Sequence, residues 1–141
     1  MKDIPLISPA LPTDSELEIL RVLWEHEPCM VRDVHEVFSQ TGRSVAYTTV
    51  LKLLQIMTEK GLVYRDVSGR AHLYRSAVPR PHTQKQLVDD LVERAFGGAA
   101  AQLVLHALSG GKSSPEELNE IRGLLDKLER DAAAKAQKSD G

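Results

Sequence analysis

The chain has 141 residues, 42% hydrophobic and 27% charged, the composition of a globular protein with room for one ordinary domain or two small ones that lean on a partner. Its aromatics are one Trp, three Tyr and two Phe, so the core must be largely aliphatic; the single cysteine, Cys29, excludes an intramolecular disulfide and a cysteine-built metal cluster. No apolar run approaches the roughly 20 residues that cross a bilayer, and Met1–Ala10 lacks the basic-then-apolar pattern of a signal peptide, so a cytoplasmic protein is expected.

Thr13-Asp14-Ser15-Glu16 has the spacing of a capping box, in which the Thr13 hydroxyl accepts from the Glu16 amide and the Glu16 carboxylate reaches back to the Thr13 amide. A first helix is therefore expected over Asp14–His26, with Leu17, Leu20, Leu23 and Trp24 as its buried stripe and Pro28 beyond its end. A second is expected over Val31–Gln40, with Val31, Val34, Val37 and Phe38 on one side, Arg32, Asp33 and Glu36 on the other, and Thr41-Gly42 closing it. Ser44 can cap a third helix over residues 45–60, where Gly61 supplies the left-handed residue that stops it. At about 100 degrees per residue this helix turns Tyr47, Val50, Leu51, Leu54 and Met57 inward and Val45, Thr48, Thr49, Lys52 and Ile56 outward. The outer face offers two hydroxyls and a lysine in its first turns, sizes that reach base edges and phosphates in a major groove; ordinary polar exposure is the competing reading.

Leu62–Asp66 and Ala71–Arg75 form two extended runs about Ser68-Gly69-Arg70, the pattern of a hairpin with glycine at its tip. Three helices followed by a hairpin make a winged helix, whose third helix enters the major groove while Arg70 and the basic residues of the wing strands lie along the backbone or minor groove. The charge distribution agrees. From Arg43 to Arg80 there are seven basic residues against only Glu59 and Asp66, a net +5 inside a chain whose formal total is -2. His72 reads as a half-exposed strand residue.

Pro79-Arg80-Pro81 is the expected boundary between a winged-helix domain at residues 1–78 and a helical region at residues 79–131, with residues 132–141 a frayed tail. In the second region a helix is expected from Thr83 to Phe96 with Leu87, Leu91 and Val92 apolar, then a bend at Gly97-Gly98. Residues 99–108 continue as an apolar segment, and Ser114-Pro115-Glu116-Glu117 has the cap, first-turn proline and acids of another helix start, followed by Leu118, Ile121, Leu125 and Leu128. Helices this short and apolar have too little of each other to hide against, so a second copy of the chain is expected to cover them. The fold class expected is mainly α: an N-terminal winged helix-turn-helix of three helices and a two-stranded wing, then a C-terminal helical dimerisation region.

Ser-Val-Ala-Tyr-Thr-Thr-Val at 44–50, Glu-Lys-Gly-Leu-Val at 59–63 and Gly-Arg-x-x-x-Tyr at 69–74, followed by Phe96-Gly-Gly, Leu103-Val-Leu and Ser114-Pro-Glu-Glu-Leu, resemble in order and spacing the BlaI/MecI/CopY penicillinase-repressor family over about residues 8–130. The resemblance implies a non-enzymatic repressor: a homodimer on a double-stranded, pseudo-palindromic operator, one winged helix per half-site, blocking transcription until a signal removes it. It puts recognition positions on Thr48, Thr49 and Lys52, the residues the helical wheel turns outward, and the wing contact on Arg70. The full DNA-binding set expected is Ser44, Ala46, Tyr47, Thr48, Thr49, Lys52 and Arg70; the dimerisation set is Phe96, Leu103, Val104, Leu108, Leu118, Ile121 and Leu125.

No cofactor, catalytic residue or metal is expected. The copper-responsive branch of the family ends in paired cysteines, and none follows Cys29 here, so no copper response is expected. In the β-lactam branch a membrane sensor metallopeptidase triggers cleavage at an Asn-Phe bond, but the matching stretch here reads Leu105-His106-Ala107-Leu108, so neither the cleavage position nor the inducer carries over. An enzyme is the first alternative, and it lacks a Gly-rich phosphate loop and any metal-ligand spacing; the five histidines are scattered, and Cys29 with His35 is not by its spacing a nucleophile and base. A winged-helix module that binds protein is the second, and it would need neither the basic segment nor the outward Thr48, Thr49 and Lys52.

Overall fold

In the computed structural model, which describes residues 10–140, helix α1 (Asp14–His26) begins at the capping box its sequence specifies. The Glu16 amide donates to Thr13 Oγ1 over 3.2 Å and the Thr13 amide donates to Glu16 Oε1 over 2.9 Å. Helix α2 (Val31–Gln40) is held at its start by the Met30 amide donating to Asp33 Oδ2. Both helices keep their expected bounds. The buried stripe of α1 differs: Ile19 and Val22 join Leu20 and Leu23 inside, while Leu17 and Trp24 are only half buried. The helix is covered from two sides, by α2 and by the elements that follow it, and a single-stripe reading places too few residues inside.

Helix α3 (Tyr47–Lys60) starts later than its sequence suggests, because Ala46 rather than Ser44 occupies the cap position and no side chain caps the first amides. Ala46 nevertheless accepts through its carbonyl from the Thr49 and Val50 amides, which is enough to set the first turn. The far end behaves as expected: Gly61 takes φ 82°, and the Leu62 amide returns to the Met57 carbonyl over 2.9 Å.

Strands β1 (Val63–Asp66) and β2 (Leu73–Ser76) pair antiparallel, with Val63 opposite Ser76 and Asp66 opposite Leu73. At the tip the Asp66 carboxylate accepts from both the amide and the hydroxyl of Ser68, and these donors hold its carboxyl below the usual range. The base of the wing is tied to the α1–α2 connection twice. Cys29 and Tyr74 exchange backbone hydrogen bonds of 2.9 and 2.7 Å, and the Ser76 amide donates to the Glu27 carboxylate. The core of this part gathers Ile19, Leu20, Leu23, Val34, Phe38, Val50, Leu54, Met57, Leu62, Val63 and Tyr74. Three helices and a two-stranded wing around one core are a winged helix-turn-helix.

Helix α4 (Arg80–Phe96) opens at the segment expected to divide the chain. Pro81 sits in its first turn, where a missing N–H breaks no helical bond, so the prolines open a helix here. Thr83, expected to begin this helix, lies inside it and is buried. Two compact units, residues 1–90 and 91–141, divide within α4. In the second unit α4 ends at Gly97 and Gly98, both at positive φ, and α5 (Ala100–Leu108) and α6 (Pro115–Asp140) follow. Ser114 and Glu117 form a second capping box at the start of α6. The expected frayed tail is instead the last turns of α6, a stretch of alanine, lysine and glutamine that are among the strongest helix formers.

Candidate nucleic-acid interface

The first turns of α3 carry Thr48, Thr49 and Lys52, all exposed, while Val50, Leu54 and Met57 anchor the opposite side in the core. Ser44 and Ala46, just ahead of the helix, are also exposed. The helical wheel fails at Val45, which packs against the core instead of facing outward, and at Tyr47, which is 46% exposed, not inward. As the first residue of α3 its side chain leans towards the N-terminus, past the end of the core, and its ring meets the ring of His35 edge-on at 5.8 Å. The wing places Arg70 beside these residues: an open groove of about 910 Å³ is lined by Tyr47 and Leu51 of α3 and by Arg70 and His72 of the wing.

The basic segment is smaller electrostatically than its residue count. Arg43 donates to Glu18 over 2.7 Å and Lys60 to Glu16 over 2.8 Å, so two of its seven cations are neutralised by carboxylates of α1. Lys52 and Arg70 have no carboxylate partner among the described residues and keep their full charge for a ligand. Arg32, at the start of α2 and outside the segment, is equally exposed and unpaired and lines the same groove. A count of charges along the chain could not show it, because the helix-turn-helix crossing, not sequence proximity, brings Arg32 to the wing.

Glu16 is the buried member of its pair, its side chain only 3% exposed against 36% for Lys60. Burial alone would raise its carboxyl, but the Lys60 ammonium and the Thr13 amide outweigh it and hold the group below its ordinary 4.5. Lys60→Met leaves that carboxylate buried and unpaired, so a loss of about 2–3 kcal/mol near neutral pH is expected, discounted for the exposed lysine end. A lowered carboxylate stabilises the fold above its unfolded value and ceases to do so as pH falls through its native one. Urea unfolding should therefore show the Lys60→Met deficit intact near neutral pH and shrinking as pH falls into the acid range in which Glu16 becomes protonated, first in the variant and then in the parent.

Cys29 is buried and its thiol is pushed up to about 11, by burial first and then by the Asp33 and Glu27 carboxylates. Its sulfur donates to the His26 carbonyl, not to His35. About one molecule in ten thousand is then thiolate at pH 7. Labelling of the native chain by a thiol reagent is expected to proceed only at the rate of global unfolding, with immediate reaction in denaturant. Among the described residues no group of three or more His, Cys, Asp or Glu side chains is placed to hold a metal, and no helix is long and apolar enough to cross a membrane.

The second unit has little core of its own. Val92 is buried, no residue of α5 is, and Leu91, Val104, Leu105, Leu124, Leu125 and Leu128 are exposed. Of the residues expected at a dimer contact, Val104 and Leu125 are open, while Phe96, Leu103, Leu108, Leu118 and Ile121 are half buried. Phe96 packs its ring against that of His106 at 5.6 Å. Leu124 and Leu128, absent from the expected set, extend the apolar surface along α6.

Comparison with known proteins places these features in context. The sequence pattern of the penicillinase repressor family matches residues 12–127. The chain is 28% identical over 126 residues to the penicillinase repressor of Bacillus licheniformis, covering 89% of this chain and 94% of that one. It is 33% identical over 118 residues to the transcriptional regulator BlaI of Mycobacterium tuberculosis, covering 82% and 83% respectively. Among solved structures, the monomeric form of Bacillus licheniformis BlaI in complex with the blaP half-operator is 30% identical, covers 57% of this chain and 90% of that chain, and superposes with a TM-score of 0.41.

Proposed function

The chain belongs to the penicillinase repressor family, and from that premise we propose that it is a cytoplasmic, homodimeric transcriptional repressor. It binds a pseudo-palindromic operator, with one winged helix on each half-site. Thr48, Thr49 and Lys52 enter the major groove on α3, Ser44, Ala46 and Tyr47 approach the backbone at its start, and Arg70 of the wing holds the flanking phosphates. The observation that carries this reading is the face itself. Two hydroxyls and a lysine stand exposed on a helix whose other side is locked into the core, next to a wing that presents an arginine, and neither cation is paired among the described residues. That combination gives shape, cationic charge and base-sized donors on a helix and a wing that share one core.

Repression requires only occupancy, so no catalytic group is involved. Dimerisation uses the apolar surfaces of α5 and α6, including Phe96, Leu103, Val104, Leu108, Leu118, Ile121 and Leu125, which a second copy of the chain covers. Release follows a signal that removes the dimer contact, such as proteolysis of this region by a membrane sensor metallopeptidase. Footprinting of DNA upstream of the chain's own coding sequence, with sedimentation of the complex, tests the whole reading. Two protected half-sites related by a dyad, about one helical turn apart or a multiple of it, with two chains per duplex, are expected. A single protected patch carrying one chain would contradict it.

A further inference from the structure

The groove between α3 and the wing has a third wall that the recognition face does not account for. Val31 and Arg32, the first residues of α2, line it together with Tyr47, Leu51, Arg70 and His72. Its floor is apolar: Val31 is buried and Leu51 half buried. Its rim is cationic, with the exposed guanidiniums of Arg32 and Arg70 on different elements and neither paired to a carboxylate among the described residues. An apolar floor with unneutralised cations on two sides is complementary to a chain of sugars carrying phosphates at its edges. A single charge on an open surface would have no such shape.

We infer that this groove seats one sugar–phosphate strand of the bound duplex, with Arg32 holding a phosphate from the α2 side opposite Arg70 on the wing. The inference rests on the DNA-binding reading and adds a backbone contact to it. Arg32 then fixes the register of α3 on the duplex without reading a base. Deoxyribose faces lie over Val31 and Leu51, and the Tyr47 hydroxyl, on an exposed ring, is placed to donate to the same strand.

A phosphate contact and a base contact leave different signatures. Arg32→Ala and Arg32→Lys are compared with the unaltered full chain on a duplex from its own promoter and on a scrambled duplex, each across a salt series. Arg32 is exposed and makes no ion pair among the described residues, so thermal unfolding of both variants should match that of the parent. Loss of one phosphate contact lowers the slope of log K against log salt by about 1 and weakens binding about five- to ten-fold near 0.1 M salt, equally on the two duplexes. The lysine variant should recover most of the affinity. If the parent binds its promoter and Arg32→Ala leaves affinity and slope unchanged, the strand does not lie in this groove. A loss confined to the promoter duplex would make Arg32 a base reader and would equally overturn the assignment. If the parent itself shows neither promoter preference nor salt dependence, the DNA-binding reading fails, and a groove of this charge is then to be tested with acidic peptides.

Discussion

Lys52→Ala is expected to weaken operator binding about ten-fold near 0.1 M salt and to reduce the salt slope by about 1, and Arg70→Ala to do the same from the wing. Among the described residues neither cation has a carboxylate partner to release when it is removed, so on the proposed reading the loss reports a contact with DNA and not a rearrangement of the protein. The two residues lie on elements fixed independently, α3 by its buried Val50, Leu54 and Met57 and the wing by the Cys29–Tyr74 bridge. Their effects should therefore add in the double variant, to about a hundred-fold loss and a slope change of about 2. Arg43→Ala provides the contrast: its guanidinium is already engaged by Glu18, so its removal should change the slope far less. Equal slope changes for Arg43 and Lys52 would mean that the surface attracts DNA diffusely and that no oriented face exists.

A larger effect is expected from the second unit. Leu125→Asp with Leu128→Asp places two charges on the exposed apolar side of α6, where burying them against another chain costs several kcal/mol unless they find partners. Neither leucine is buried within the chain, so the helix and the winged helix should keep their circular dichroism. If the parent forms the proposed dimer, sedimentation should show this variant as a monomer. Binding to the full operator should fall a hundred-fold or more, because the second half-site is then no longer captured at the high effective concentration that linkage supplies. Affinity for an isolated half-site should change little. A variant that stays dimeric would place the contact elsewhere, on the half-buried Leu103, Leu108 and Leu118.

The parts of the fold that were legible in the sequence are those specified locally. Thr13 with Glu16, Ser114 with Glu117, and Gly61 fix helix ends through neighbouring backbone groups, and those ends fall where the spacing puts them. The start of α3 was not legible, because Ser44 is a good cap by type yet the helix begins two residues later at Ala46, which has no capping side chain to signal it. The Pro79–Pro81 segment misleads for a related reason: proline breaks a helix from within and opens one from its first turn, and residue type alone does not say which. Alanine and lysine at the C-terminal end carry no apolar period but a high helical propensity, and propensity prevails.

The candidate interface was legible as far as it lies on one element. Thr48, Thr49 and Lys52 share a helical face, and periodicity alone turns them outward. Tyr47 escapes the same rule because a helix's first residue projects beyond the core it would otherwise join. The net charge of residues 43–80 overstates the free charge of the candidate surface, since Glu16 and Glu18, far away in sequence, neutralise Lys60 and Arg43. Arg32 shows the converse: it lies at the groove only through the crossing of α2 with α3 and the wing, so no linear count includes it. Charge complementarity is a property of folded surfaces, and a linear count records only part of it.

Fluorescence anisotropy of the full chain against a duplex from its own promoter and a scrambled duplex of the same composition, each across a salt series, bears most directly on whether α3 and the wing read DNA. Tight binding to the promoter duplex, at least a hundred-fold stronger than to the scrambled one and falling steeply with salt, is the outcome that an oriented recognition helix flanked by unpaired cations requires. Equal, weak binding to both duplexes would contradict it and leave the winged helix as a surface for another kind of partner.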